Sequence, residues 1–319
     1  MRQYIKYLAT IAVLTVLLFE CIVIGIILFP KGVFYPSYQS VIVDKYRILQ
    51  NTDEPKIIVV SGSSSSFGLD QKMLEEATGY KVANMGLHAG FGQLFYSELA
   101  KENINKGDIV LLGYEYGWEH GFKMLGQDLI MSGIDDHLDL YKHIPVNRWR
   151  DFVGYIFKYA ATKQSYEGAT GIYSREAFDP ETAQMTMERK YEMNYPENVD
   201  LYGKVDLGEV SIDEDVVEYL VSYKEYIESR GASVYFIAPP VLKQGIVCEK
   251  AKFQELKQLE EEKIGIPFIS NPEEYFYEDK LMSNALYHCS TEGEKVRTKM
   301  LIDDLKRAEV LHFGTRPEL

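Results

Sequence analysis

The sequence predicts an α/β protein built on a central parallel sheet, and three observations predict it. Short β-branched or apolar runs recur along the chain, at Lys56–Val60, Lys81–Met85, Asp108–Leu112 and Ser233–Ala238. The runs are near-continuously apolar and do not alternate, as expected of strands buried on both faces. Between them lie helical stretches, and strands alternating with helices imply right-handed βαβ units.

Ahead of this alternation, Tyr7–Phe29 reads YLATIAVLTVLLFECIVIGIILF. About 20 apolar residues suffice to cross a bilayer as a helix. Phe29-Pro30-Lys31 follows where a cleaved signal peptide would show small residues, so residues 1–30 read as an uncleaved N-terminal membrane anchor. Arg2 and Lys6 precede the span, which predicts a single pass with the C-terminal domain extracytoplasmic. Glu20 falls near the middle of this span. A carboxylate at that depth costs about 2.5–3.5 kcal/mol, so it is expected to be protonated or to face a protein partner.

Residues 31–55 form a mixed connector, and 56–308 carry the α/β pattern. After the Lys56–Val60 strand, Asp70 can cap a short helix through Ala77. Lys81–Met85 is the second strand, Gly92–Asn105 a helix and Asp108–Leu112 the third strand. From about 118 to 210 the alternation stops; this is an insertion with helical pieces such as Val146–Ala161. The pattern then resumes with an amphipathic helix over Asp213–Arg230, the Ser233–Ala238 strand, a helix over Glu249–Lys263, a short fifth strand at Pro267–Ile269 and a last helix over Ser290–Ala308. Residues 309–319 are a tail.

Composition bounds the function. The 319 residues carry a formal net charge of -14, which argues against a nucleic-acid-binding surface. Cys21, Cys248 and Cys289 show no metal-ligand spacing and allow at most a Cys248–Cys289 disulfide. Asp135-Asp136-His137-Leu138-Asp139 reads as a solvated turn, Glu260–Lys263 as a solvated helix face, and His88 as a packed or loop-capping residue. Tyr114, Tyr116 and Trp118 suit either a sugar-binding groove or core packing.

Open parallel sheets bind ligands beyond the C-terminal ends of their strands. The first strand ends in Ser61-Gly62-Ser63-Ser64-Ser65-Ser66-Phe67-Gly68. A serine on such a strand–turn–helix transition can point outward at a helix N-terminus, where N–H groups stabilise an oxyanion. His288, in NALYHCSTEG just before the last helix, is the histidine placed to reach it.

These stretches together resemble the SGNH (GDSL-type) hydrolase superfamily, in particular its membrane-anchored members related to acylation of cell-surface polymers. Gly62-Ser63 stands at the nucleophile block, Asn84–Gly90 at the oxyanion-glycine block, Gly113-Tyr114-Glu115 at the Gly-x-Asn block, and Tyr287-His288 with Glu292, Gly293 and Arg297 at the block of the general base. The resemblance implies a flavodoxin-like three-layer fold. The placing of Phe67-Gly68 selects Ser63 as nucleophile; the older GDSL spacing selects Ser64. It further implies His288 as general base, with Ser63 and Gly90 N–H groups, with or without Glu115, holding the oxyanion. The chain departs from the pattern twice. Ala285 replaces the usual aspartate before the histidine, leaving Asn284 or Asp279 to orient His288, and Glu115 replaces the oxyanion asparagine. The resemblance implies an extracytoplasmic acyl-ester hydrolase or acyltransferase acting on a surface glycan or wall polymer. It implies no metal or organic cofactor, and a multi-spanning membrane acyltransferase as partner. The competing expectation is a catalytically degenerate accessory protein that keeps the fold and binds a glycan or that membrane partner.

Overall fold

In the computed structural model, residues 1–186 and 203–311 are described. Residues 187–202 of the expected insertion and 312–319 of the expected tail lie outside the described residues.

Four parallel strands make the sheet: β1 (Lys56–Ser61), β2 (Lys81–Asn84), β3 (Ile109–Gly113) and β4 (Ser233–Phe236), in the order β2-β1-β3-β4. The expected fifth strand shrinks to one parallel bridge, Phe236 to Phe268, beyond β4. Phe236 N–H donates to Pro267 O at 2.9 Å and Ile269 N–H donates to Phe236 O at 3.0 Å. Pro267 has no N–H of its own to extend the ladder. With that edge the order is the flavodoxin-like 2-1-3-4-5, whose crevice opens where strand order reverses, between β1 and β3.

Two separate cores prove the layering. Ile57 and Val59 of β1 pack with Leu74, Leu301 and Leu305 on one face of the sheet. Their neighbours Ile58 and Val60 pack with Phe95, Leu99 and Ile227 on the other. Each such fully buried side chain contributes about 1.5–3 kcal/mol. The helices α4 (Gln71–Thr78) and Thr291–Arg307 cover the first face; α2 (Val41–Gln50), α5 (Gln93–Ala100) and Glu214–Ser229 belong to the second core. Their start signals work as the sequence predicts: Asp70 accepts from Met73 N–H at 3.0 Å and Ser290 accepts from Gly293 N–H at 3.2 Å.

At the end of the sheet opposite the site, Lys56 Nζ donates to Asp108 Oδ2 at 2.8 Å with both side chains fully buried. Asp108 also accepts from the N–H groups of Lys56 and Asn105, so its lone pairs are well used.

Tertiary packing overrides several local readings. The connector 31–55 is no spacer: Tyr38, Val41, Ile42, Tyr46 and Leu49 are core residues. Asp135 leaves the expected solvated turn to form a buried ion pair with Lys163 Nζ at 2.7 Å. Glu260 is 2% exposed rather than solvated, because it shares a helix stripe with Phe253, Leu256 and Ile264. Burial pushes its carboxyl well up, with nearby Glu119 adding to the effect. Tyr114 and Trp118 are buried in the core rather than lining a groove. No disulfide joins Cys248 to Cys289.

Candidate active site

At the crevice, Ser61 ends β1 and Ser63–Ser66 form one short helical turn, α3. Four segments converge on it. From the last helix, buried Arg297 donates through Nη1 to Ser64 O at 2.5 Å and Gly68 O at 3.3 Å, and through Nη2 to Ser65 Oγ at 3.5 Å. From the end of β2, Asn84 Nδ2 donates to Ser65 O at 2.9 Å while its Oδ1 accepts from Gly86 N–H at 3.0 Å. Gly86 is required here: a Cβ would fall 2.6 Å from Gly62 O. Cys289 N–H donates to Phe67 O at 3.2 Å, which ties the last block to the end of the turn.

The fourth segment is Glu115, just beyond β3. Its Oε1 accepts from Ser64 N–H at 2.8 Å and its Oε2 from Gly62 N–H at 3.2 Å. Glu115 thus takes the N–H groups on both sides of Ser63. Burial pushes its carboxyl up; the backbone N–H bonds and Arg297 pull it back. The expected oxyanion role for Glu115 is corrected accordingly: both oxygens accept from the backbone that flanks Ser63, and the carboxylate is the clamp of that turn. Gly62 makes room for it, since a Cβ there would lie 2.6 Å from Oε1.

Of the four serines, Ser63 alone is half-buried; Ser64, Ser65 and Ser66 are buried. Ser64 is fully enclosed, so the alternative register has no accessible hydroxyl. Phe67 follows Ser63 by four residues, and its N–H bonds Ser63 O at 3.0 Å, so the two share one helical face. The His288 ring lies against the Phe67 ring with centroids 4.3 Å apart. His288 is thereby brought to the end of the turn that Ser63 begins.

His288 Nδ1 lies 2.8 Å from Asn284 Oδ1. The amide oxygen accepts, so Nδ1 carries the proton and Nε2 keeps its lone pair. Asn284 Nδ2 in turn donates to Tyr173 OH at 2.9 Å. Asp279 is elsewhere: both its oxygens accept from Gln244 Nε2, at 2.7 and 2.8 Å. Burial lowers His288 to about 3, with His88 reinforcing the shift. The imidazole is a neutral acceptor over nearly all pH, but an imidazolium there is poorly supported.

Gly90 is the second corrected expectation. Its N–H donates to His88 Nδ1 at 2.9 Å, so His88 caps its own loop and occupies the proposed oxyanion donor.

Sequence reading missed Tyr173, which lies in the insertion and has no motif around it. It also missed Tyr38, whose hydroxyl donates to Leu87 O and whose ring stacks on Phe67, and buried Lys45, whose Nζ donates to Asn84 O at 3.0 Å. Burial lowers Lys45 to about 7. An apolar i, i+4 pattern around Lys45 in α2 was the signal available, since a lysine in a core stripe needs a buried acceptor.

No protein-family model matches the chain, and no curated protein sequence matches it. A solved structure that aligns is the crystal structure of the protein YxiM from Bacillus subtilis, at 13% identity over 81% of this chain and 58% of that one, with a TM-score of 0.37. The chain thus spans less than two thirds of YxiM. So slight a likeness adds nothing to the site, which stands on its own residues.

Proposed function

We propose that this protein is an anchored, extracytoplasmic acyl-ester hydrolase or acyltransferase of SGNH type, acting on a surface glycan or wall polymer. The observation that supports it is the His288–Asn284 pair, whose imidazole lies against Phe67 at the end of the turn that carries Ser63, the one half-buried serine of α3. In this reading Ser63 Oγ attacks the acyl carbonyl and Nε2 of His288 takes its proton. The Nδ1–H bond to Asn284 holds the ring in that tautomer. The Ser63 N–H stabilises the oxyanion, and Gly90 N–H joins it only once His88 releases it. His288 returns the proton to the departing alkoxide. A water or a glycan hydroxyl, deprotonated by His288, then takes the acyl group from Ser63, and His288 gives that proton to the departing Ser63 Oγ.

Among the described residues one helix, Gln3–Leu28, is long and apolar enough to cross a membrane, which supports the anchor. A multi-spanning membrane acyltransferase is the proposed partner. Orientation is tested with protease on intact protoplasts, which should remove the domain; full protection would overturn the extracytoplasmic assignment. The chemistry is tested with a fluorophosphonate probe on the full chain in detergent. Covalent labelling that persists in Ser64→Ala and vanishes in Ser63→Ala is expected, and labelling unaffected by Ser63→Ala refutes the serine mechanism.

A second reading has its own support. The low basicity of His288, the missing carboxylate and the occupied Gly90 N–H all suit an accessory protein that retains the fold and binds glycan or membrane partner without turnover. Absence of any Ser63-dependent labelling or turnover in the folded protein selects it.

A further inference from the structure

The last turns of helix α1 (Arg2–Leu28) are embedded in the domain. Residues 3–22 are exposed, whereas Val23, Gly25 and Ile26 are half-buried and Ile27 is buried. The bare stretch is about 30 Å long at about 1.5 Å per residue, which equals the hydrocarbon thickness of a bilayer. No linker separates span from domain. Lys163, on the helix Trp149–Ser165, donates through Nζ to Ile27 O at 2.8 Å and Ile26 O at 3.4 Å, the open carbonyls at the end of α1. The same Nζ pairs with Asp135, and Asp135 also accepts from Tyr159 OH. Phe34 packs against the rings of Tyr159 and Tyr166. Glu20 then lies only three residues short of the grip, at the domain-side end of the bare stretch rather than in mid-span.

The gripping helix has a second apolar stripe. Phe152, Ile156, Tyr159 and Lys163 are its buried face. Trp149, Val153, Phe157 and Ala161, spaced by four, form another row about 100° around the helix. In this row Phe157 is 64% and Trp149 37% exposed, and Ala161 is exposed too. Val146, leading into the helix, is 87% exposed, and at the exit of α1 Phe29 and Tyr35 are 66% and 58% exposed. Arg150 and Lys158 flank the row, on a chain whose net charge is -14. Aromatic and basic side chains of this kind favour the headgroup zone, and an amphipathic helix lies flat there.

We infer that the Trp149–Phe157 stripe rests in the interfacial layer of the same bilayer that α1 spans, making the domain a membrane-seated body rather than one tethered above the surface. The occupant is the lipid interface, because the Lys163 latch brings this helix to the membrane exit and leaves no spacer to lift it away. The inference rests on α1 being the anchor.

The test places one exposed reporter on the stripe: Phe157→Trp in a Trp149→Phe background, full chain, in nanodiscs of phosphatidylcholine and phosphatidylglycerol with bromines near the glycerol end of the acyl chains. Trp118 is 4% exposed in the core and serves as the unquenched reference. Most of the emission added by the residue 157 reporter should be lost relative to nanodiscs without bromine, and native Trp149 should be quenched in the wild type. Emission from position 157 that is no more quenched than Trp118 alone overturns the seating, as does an unquenched reporter on protein bound to a partner protein or to a second copy. Failure of the protein to co-elute with nanodiscs is a separate result and overturns the anchor itself, and the seating with it.

Discussion

Asn284→Asp should raise ester turnover by about 10²–10⁴, the ceiling being the loss of about 10⁴ that the opposite change causes in a serine protease triad. The structure allows the substitution. Asn284 Oδ1 already accepts from His288 Nδ1 at 2.8 Å, so a carboxylate oxygen takes its place without backbone movement. The other atom, Nδ2, now donates to Tyr173 OH at 2.9 Å. A tyrosine hydroxyl also donates, so the second carboxylate oxygen keeps a partner. With charge centres roughly 4 Å apart and an effective dielectric constant of about 20, the imidazolium–carboxylate attraction is about 4 kcal/mol. That is about 3 pKa units, which moves His288 from about 3 toward about 6. Burying the new carboxylate opposes part of this gain. The assay is kcat/KM on p-nitrophenyl acetate with the full chain in detergent, with Ser63→Ala as the blank. The acid limb of the pH–rate profile should move up together with the rate. An Asn284→Asp protein that melts like the wild type but turns over no faster refutes the assignment of Asn284 as the weak point of the site. Asp279→Asn should leave the rate unchanged, since Asp279 is engaged by Gln244 on the surface.

Stability should fall with acid through His288. Its folded pKa lies at about 3, below the ordinary 6.5. The contribution of neutral His288 is therefore complete above pH 6.5 and is lost progressively as the pH falls toward 3. At pH 5 the loss is about 2 kcal/mol, or a few degrees of Tm, and His288→Gln should lack it; equal acid slopes in both proteins would assign it to other groups. Gly62→Ala should destabilise by about 1–3 kcal/mol, because its Cβ meets the Glu115 carboxylate, and trimming Glu115 to Ala in the same chain should recover part of the loss. Thermal melts of the two proteins check this, and a Gly62→Ala melt equal to wild type would contradict the clamp. Glu20→Leu should leave the melting of the domain unchanged and weaken co-purification with a membrane partner. Unchanged co-purification would leave Glu20 as a polar residue tolerated near the membrane boundary.

What the sequence determined by itself is what depends on near neighbours. Apolar runs set β1 to β4, Asp70 and Ser290 capped their helices, and the apolar run from Tyr7 fell within one long helix, Arg2–Leu28, because strand burial, capping and span length are written in consecutive residues. The turn that holds Ser63 and the histidine ahead of the last helix were legible for the same reason. What a side chain meets across the fold was decided only by tertiary structure. Ser63 and Ser64 differ by one position, yet packing of Glu115 and Arg297 encloses one hydroxyl and leaves the other accessible. Asn284 and Asp279 both lie near His288 in sequence, and only the fold puts one on Nδ1 and the other on Gln244. Glu260 and Asp135 read as solvated charges until neighbouring helices close over them and Lys163 pairs with Asp135. Charge and hydrogen bonding depend on desolvation, and desolvation is set by residues distant in sequence that arrive only when the layers pack.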